Sequence, residues 1–249
     1  MLHGVLHGWW SVFKRELTGY FRSPVGLVFI VIFLVLAGVF TFQQGNFFAR
    51  RQADLAPFFQ FHPWLYLFLV PAVSMRLWAE ERRQGTIELL LTLPVSLAGA
   101  VVGKFLAAWA FCGIALAMTF PMWWTVAWLG NPDHGAIATA YLGSLLMAGG
   151  FLAVGSVLSA TTKSQVVAFI LTAVVCLALL LAGDSTVIGF LKGSAPTPVI
   201  EAVSGLSFLT RFESVSRGVL DVRDIVYFVT LIGASIVGTV LVLENMKGE

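Results

Sequence analysis

Charge in this chain is confined to short islands, and between them lie six uncharged runs: residues 23–49, 55–75, 105–132, 135–162, 164–183 and 225–243. A helix rises about 1.5 Å per residue, so crossing a hydrocarbon core roughly 30 Å thick takes about 20 residues. Each run meets or nearly meets that length. Only 11% of the 249 residues are charged while 58% are hydrophobic, whereas soluble domains carry about 25% charged residues. The runs also lack the polar stripe that a core helix of a soluble protein turns to water. The chain therefore reads as one all-α polytopic membrane domain over residues 1–249. Six transmembrane helices are predicted near 25–43, 57–75, 104–129, 138–159, 165–183 and 225–243.

Local features refine this outline. Pro121 falls inside the third run, where its missing N–H and its ring predict a kink. The first run begins too late for a removed leader, and Lys14, Arg15, Arg22 and Pro24 precede it, so it is expected to persist in the mature protein. Cys112 and Cys176 both lie within runs and read as small buried hydrophobes, with neither a disulfide framework nor metal-ligand spacing.

Orientation follows from the basic residues. With both termini cytoplasmic, the inner side holds nine Lys and Arg, namely Lys14, Arg15, Arg22, Arg76, Arg82, Arg83, Lys104, Lys163 and Lys247. The outer side then holds six, and four of those share one long segment with five acids. The bias of the short loops favours this arrangement.

Three polar segments carry the candidate functional residues. Residues 7–22 place Trp10, Phe13, Leu17 and Phe21 at helical spacing beside Lys14 and Arg15. That pattern predicts a helix lying in the membrane interface, rings among lipid headgroups, connected to the first span. Residues 76–103 combine Glu80, Glu81, Arg82, Arg83 and Glu88 with apolar Leu77, Ile87, Leu90 and Leu91. Gly85 breaks this cytoplasmic segment and Pro94 closes it, predicting two short helices around a turn. Residues 184–224 are too long for a turn. They read as an outer helical hairpin, re-entrant or surface-lying, in which Phe208, Phe212, Val215 and Val219 share one helical face from Ser207 to Leu220. Arg211, Glu213, Arg217 and Gly218 belong to its polar side, and Asp221 precedes Asp224 at capping-box spacing.

Enzymatic chemistry finds little support. His3, His7, His62 and His134 are scattered and form no HExxH pattern, and no acidic residue falls in the middle of a run, so a proton path is not expected. Any translocation path would be lined by uncharged groups such as Thr119, Thr125, Ser144, Ser156 and Thr172. Gly143, Gly149, Gly150 and Gly155 are expected to let helices approach closely.

Three stretches, KRELTGYFRSPVG at 14–26, EERRQGTIELLLTLPVS at 80–96 and SFLTRFESVSRGVLDVRDIVYF at 207–228, give the chain a resemblance. It resembles permease subunits of ABC-2-type exporters, particularly the gliding-motility and nitrous-oxide-reductase-maturation branch, over nearly its whole length. The resemblance implies that the loop between spans two and three is a coupling helix docking on an ATPase, which puts Glu80, Glu81, Arg82, Gly85, Thr86, Glu88 and Pro94 at or near that contact. It also implies an outer hairpin shielding the end of a cavity. No GxxxxGK[ST] phosphate loop occurs, so ATP and Mg2+ are expected on a separate ATPase chain, with no cofactor on this one. The expected partners are two cytoplasmic ATPase copies, a second copy or related permease, a periplasmic auxiliary subunit and membrane lipid, with no nucleic acid. The expected function is ATP-driven export across a bacterial inner membrane. The alternative is a non-transporting platform that passes ATPase-driven motion to an envelope partner.

Overall fold

A computed structural model describes residues 8–86, 96–192, 196–219 and 221–246, and the regular structure among them is helical. In chain order the elements are α1 (Trp9–Arg22), α2 (Pro24–Val39), α3 (Ala56–Phe59), α4 (His62–Ser74), α5 (Ala79–Gln84), α6 (Leu97–Ala117) and α7 (Phe120–Leu129). There follow α8 (His134–Thr161), α9 (Gln165–Leu181), α10 (Ser185–Lys192), α11 (Thr197–Gly205), α12 (Phe208–Ser216) and α13 (Val222–Asn245). Short polar residues set the starts. The side chains of Ser23, Ser96, Asp133, Ser164, Ser207 and Asp221 each accept a backbone N–H from the first turn that follows.

Among the described residues five helical stretches are long and apolar enough to cross a membrane: Pro24–Gln44, Ala56–Gln84, Leu97–Leu129, His134–Thr161 and Val222–Asn245. The chain is thus a polytopic helical membrane protein. The run at 164–183 gives α9, whose 17 residues span about 26 Å. That is short of a full crossing of a ~30 Å core. Two predicted spans are interrupted. The second is broken between α3 and α4 at residues 60–61, and the chain turns again at 75–78, at the predicted end of that span, before entering α5. The third starts at Leu97 and not at 104, so Lys104 sits inside α6 instead of in the loop. The kink expected from Pro121 falls just ahead of it, between α6 and α7, because proline cannot donate to the carbonyl four residues back. Thr119 supports the break by donating to the Leu116 carbonyl at 2.6 Å while lying 3.0 Å from the Tyr141 hydroxyl.

α8 is the axis of the bundle, packing against α4, α6, α9, α12 and α13. Small residues allow these contacts. A Cβ added at Gly143 would stand 2.7 Å from Val215, one at Gly149 would stand 2.8 Å from the Trp109 indole nitrogen, and one at Gly150 3.0 Å from the Phe208 ring. At Gly155 it would collide with Ser74 of α4 and stand 3.0 Å from Thr172 of α9. The glycines expected to permit close packing do so, each against a different neighbour.

Overpacking a tight core costs about 1–3 kcal/mol, so Gly155→Val is expected to lower the melting temperature of the detergent-solubilised protein. Gly238→Ala is the control. Its added Cβ meets Val157 at an ordinary 3.7 Å, and exchanging glycine for alanine within a helix should hold or raise stability by up to about 1 kcal/mol.

Candidate functional site

The candidate site is built at the end of the bundle where α1, α5 and α6 meet. α1 lies on α6 through Val12, Glu16 and Tyr20, one residue per turn, and Gly103 of α6 lets the backbones approach. A Cβ on Gly103 would stand 2.7 Å from the Trp9 carbonyl. Tyr20 stacks on Phe111 with ring centroids 4.8 Å apart. The stripe singled out in the sequence lies on an adjoining face, from which Phe21 still meets Phe111 edge-on at 5.6 Å. Trp10 and Phe21 are exposed, Phe13 stacks on Trp10 at 5.2 Å, and Leu17 is partly buried. Lys14 and Arg15 are exposed, with the Lys14 ammonium 5.1 Å from the Trp10 ring centre.

The break between α4 and α5 is held by α8. Ser159 accepts the N–H groups of Trp78 and Ala79, both at 3.1 Å, and donates to the Met75 carbonyl at 3.0 Å. Backbone groups freed by the interruption are thereby paired inside the bundle. The fully buried Trp78 indole donates to Ser156 at 3.1 Å, and Thr239 of α13 also donates to Ser156, at 3.3 Å. α5 is then clamped on both flanks. Arg82 donates to the Ala160 carbonyl at 2.6 Å, near the α8 C-terminus where a cation meets the negative end of the helix dipole. Gln165, opening α9, donates to Glu80 at 2.8 Å. Gly85 caps α5 in the left-handed conformation, φ 70°, and the tip Arg83, Gln84 and Gly85 is exposed. Thr86 is partly buried and returns its N–H to the Glu81 carbonyl at 3.0 Å. Glu88 and Pro94 lie outside the described residues.

Beneath α5 sits a buried cation. The side chain of Lys104 is 4% exposed, and its ammonium lies 2.8 Å from Glu81, 3.1 Å from the Leu77 carbonyl it donates to, and 3.5 Å from Glu16. The same nitrogen is 5.1 Å from the Trp78 ring centre. Of the ammonium's three donors, one goes to the Leu77 carbonyl, and the two carboxylates lie within ion-pair distance. Burial alone would raise the Glu16 carboxyl, but Lys104 and Arg15 outweigh it and hold the group below its usual value. Burial, and after it the Glu16 charge, pushes the Tyr20 phenol up and keeps it a neutral hydroxyl. Glu81, expected to face a partner, is thus turned inward.

At the other end, α12 docks on α8 with Phe208, Phe212 and Val215 buried. The helix ends at Ser216 and Gly218 follows at φ 88°, so Val219 falls off the predicted face and is 58% exposed. Arg211 pairs with buried Asp224 at 2.9 Å, 5.7 Å from the Tyr227 ring centre, while Glu213 and Arg217 form an exposed pair at 3.6 Å. The capping box is half formed. Asp221 caps α13 through the Arg223 N–H at 2.9 Å, but Asp224 is turned away to Arg211. The hydroxyls expected to line a path are spent inside the chain. Thr172 donates to the Ala168 carbonyl, Thr125 to that of Pro121, and Ser144 lies 2.8 Å from both His62 and the Tyr66 hydroxyl.

Sequence reasoning passed over Glu16 and Ser159, used Lys104 only to set the orientation, and gave Ser156 to a translocation path where it instead holds Trp78. Lys104 had a usable signal, since it falls eight residues after Ser96, a natural helix cap, and so inside a helix. The Ser156 and Ser159 pair sits at i, i+3 within an uncharged run, a weaker mark.

Helices of spanning length with a clamped polar helix at one end define a polytopic helical membrane protein. Among the described residues no group of three or more His, Cys, Asp or Glu is placed to hold a metal ion. The chain belongs to the ABC-2 family transporter proteins, whose family model matches residues 10–243. It is a non-catalytic membrane permease component of an ABC-2-type transporter, a family that works with ABC ATPase subunits. No curated protein matches the chain.

Removing one partner of a buried ion cluster costs about 3–5 kcal/mol because charge is left uncompensated. Lys104→Met is expected to lower the thermal stability of the purified protein by that order, and less so when Glu81→Gln is added, a non-additivity that marks direct coupling. Glu16 contributes its stability in full above the ordinary carboxylate range, near about 4.3. That stability is lost as pH falls through its depressed value. Melting curves of wild type and Glu16→Gln should therefore converge on acidification.

Proposed function

We propose that this permease crosses the membrane six times, with α9 as the fifth crossing, and keeps both termini on the cytoplasmic side of a bacterial inner membrane. Tilt of its neighbours and local thinning accommodate a short helix at modest cost. Two such chains, or this chain and a related one, pair about a twofold axis and give two ATPase copies equivalent docking loops. The cargo is exported at the expense of ATP bound with Mg2+ on those ATPases, and the motifs at 14–26, 80–96 and 207–228 favour the gliding-motility and nitrous-oxide-reductase-maturation branch. Residues 7–22 serve as the interfacial connecting helix, 76–103 as the coupling segment and 184–224 as the outer hairpin, open to a periplasmic auxiliary subunit.

The observation that carries this reading is the clamped α5 with its exposed tip. Arg83, Gln84 and Gly85 present a polar surface to a partner, while Arg82 and Glu80 tie the same helix to the ends of α8 and α9. Glu81 takes a transmitting role, since its contact with Lys104 links a push on α5 to α6 and, through Glu16, to α1. ATPase contact then belongs to the tip, with Thr86 and Glu88 following it.

Two experiments test the proposal. Cys112 and Cys176 are buried, so an introduced cysteine reports cleanly. Thr197→Cys should react with an impermeant thiol reagent in intact cells and Arg83→Cys only after lysis; the reverse pattern would invert the topology and remove the docking surface.

Gly85→Val tests coupling directly, because a side chain at φ 70° costs about 1–2 kcal/mol. The variant should insert normally yet lose ATPase co-purification and stimulation of ATP turnover. Unchanged binding and turnover at matched expression would end the coupling assignment.

A further inference from the structure

A cavity of about 380 Å³ opens beside the Lys104 cluster, between α2 and α4. Its deep walls are apolar, from Val25, Phe29 and Ile32 on α2 and Leu69 and Val73 on α4. Its other end is polar, bounded by Glu16, Tyr20, Arg76, Glu81 and Lys104. Leu69 and Arg76 are seven residues apart, so the cavity runs about 10 Å along the bundle axis from its apolar to its polar end. Val25 and Ile32 are also 46% and 42% exposed on the outer side of α2. The cavity therefore opens along its α2 side, toward the membrane.

The polar end has two vacancies of opposite sign. Among the described residues Arg76 makes no ion pair and its buried Nε has no partner, while Glu81 spends one oxygen on Lys104 and leaves its buried Oε2 unpaired. Buried donors and acceptors are costly to leave unmet. Lys104 already faces Glu81 and Glu16 as ion pairs and donates to the Leu77 carbonyl. A fitting ligand thus brings an anion for Arg76, a hydrogen-bond-donating cation for Glu81, and an apolar tail. An anionic headgroup without an amine brings Glu81 at most a neutral hydroxyl and no counter-charge, and a quaternary ammonium has no N–H to give it.

We propose that this groove holds a phospholipid with a primary-amine zwitterionic headgroup, of the phosphatidylethanolamine class. Its phosphate sits on Arg76, its ammonium on Glu81 and an acyl chain between α2 and α4. The lipid belongs to the leaflet at the α5 end and completes the electrostatics of the Lys104 cluster. The assignment does not depend on the ATPase reading, since it concerns only this chain and its bilayer.

The test is native mass spectrometry of the purified chain titrated with phosphatidylethanolamine, phosphatidylcholine and phosphatidylglycerol of identical acyl chains. The amine lipid should bind about tenfold more tightly than either other, the value of one charge-assisted hydrogen bond. Glu81→Gln should erase its advantage over phosphatidylcholine, and Arg76→Gln should weaken all three. Ile32→Trp fills the apolar wall without touching a charge and should reduce binding of every headgroup. Equal affinity for the three lipids, or a preference that survives both charge variants, overturns the proposal. So does lipid release on adding an ATPase or forming a permease dimer, which would give the groove to a protein partner. Thermal melting of each variant confirms that it is folded before its lipid affinity is read.

Discussion

An ammonium carried into the interior of a helix bundle must find its counter-charges there, and Lys104 finds them on two other elements. Taking such a group out of water costs several kcal/mol unless its partners are well placed. Lys104 stands at the second turn of α6, and Glu16 and Glu81 come from α1 and α5. Their convergence fixes where the amphipathic helix lies and how the chain folds back after α4. Apolar contacts between membrane helices are weakly selective, because lipid is as apolar as leucine. At this end of the molecule the ion cluster supplies the selectivity that packing alone does not.

Hydroxyls perform the corresponding task one layer deeper. The interruption between α4 and α5 would strand backbone groups in a water-poor interior, which membrane proteins tolerate only where protein groups take their place. Ser159 satisfies three of them, and Ser156 joins α8 to both Trp78 and α13. A single helix face thus supports the broken second span and leaves α5 free to present its tip.

The hydropathy of the chain was legible because it obeys one rule: a run long enough to span and free of charge becomes helix. Its ends were less so. Lys104 looked like the last residue of a loop because charge marks the edge of a run, but a charge that is paired does not need the edge. Val219 was assigned to the α12 face by period alone, and Gly218 ended that period a residue earlier. Glu81 shows the limit most clearly. Sequence identified it as important by its place in a motif, yet whether a carboxylate faces outward or inward depends on a lysine 23 positions away, which only the fold brings near.

The row of glycines on α8 has a mechanical meaning. Neighbours sit against it at Gly143, Gly149, Gly150 and Gly155, a stretch of about 18 Å. A shaft seated in several bearings along its length cannot slide or twist in one without jamming in the rest. An axial displacement of α8 would have to break these contacts together, so the helix and its neighbours hold one register.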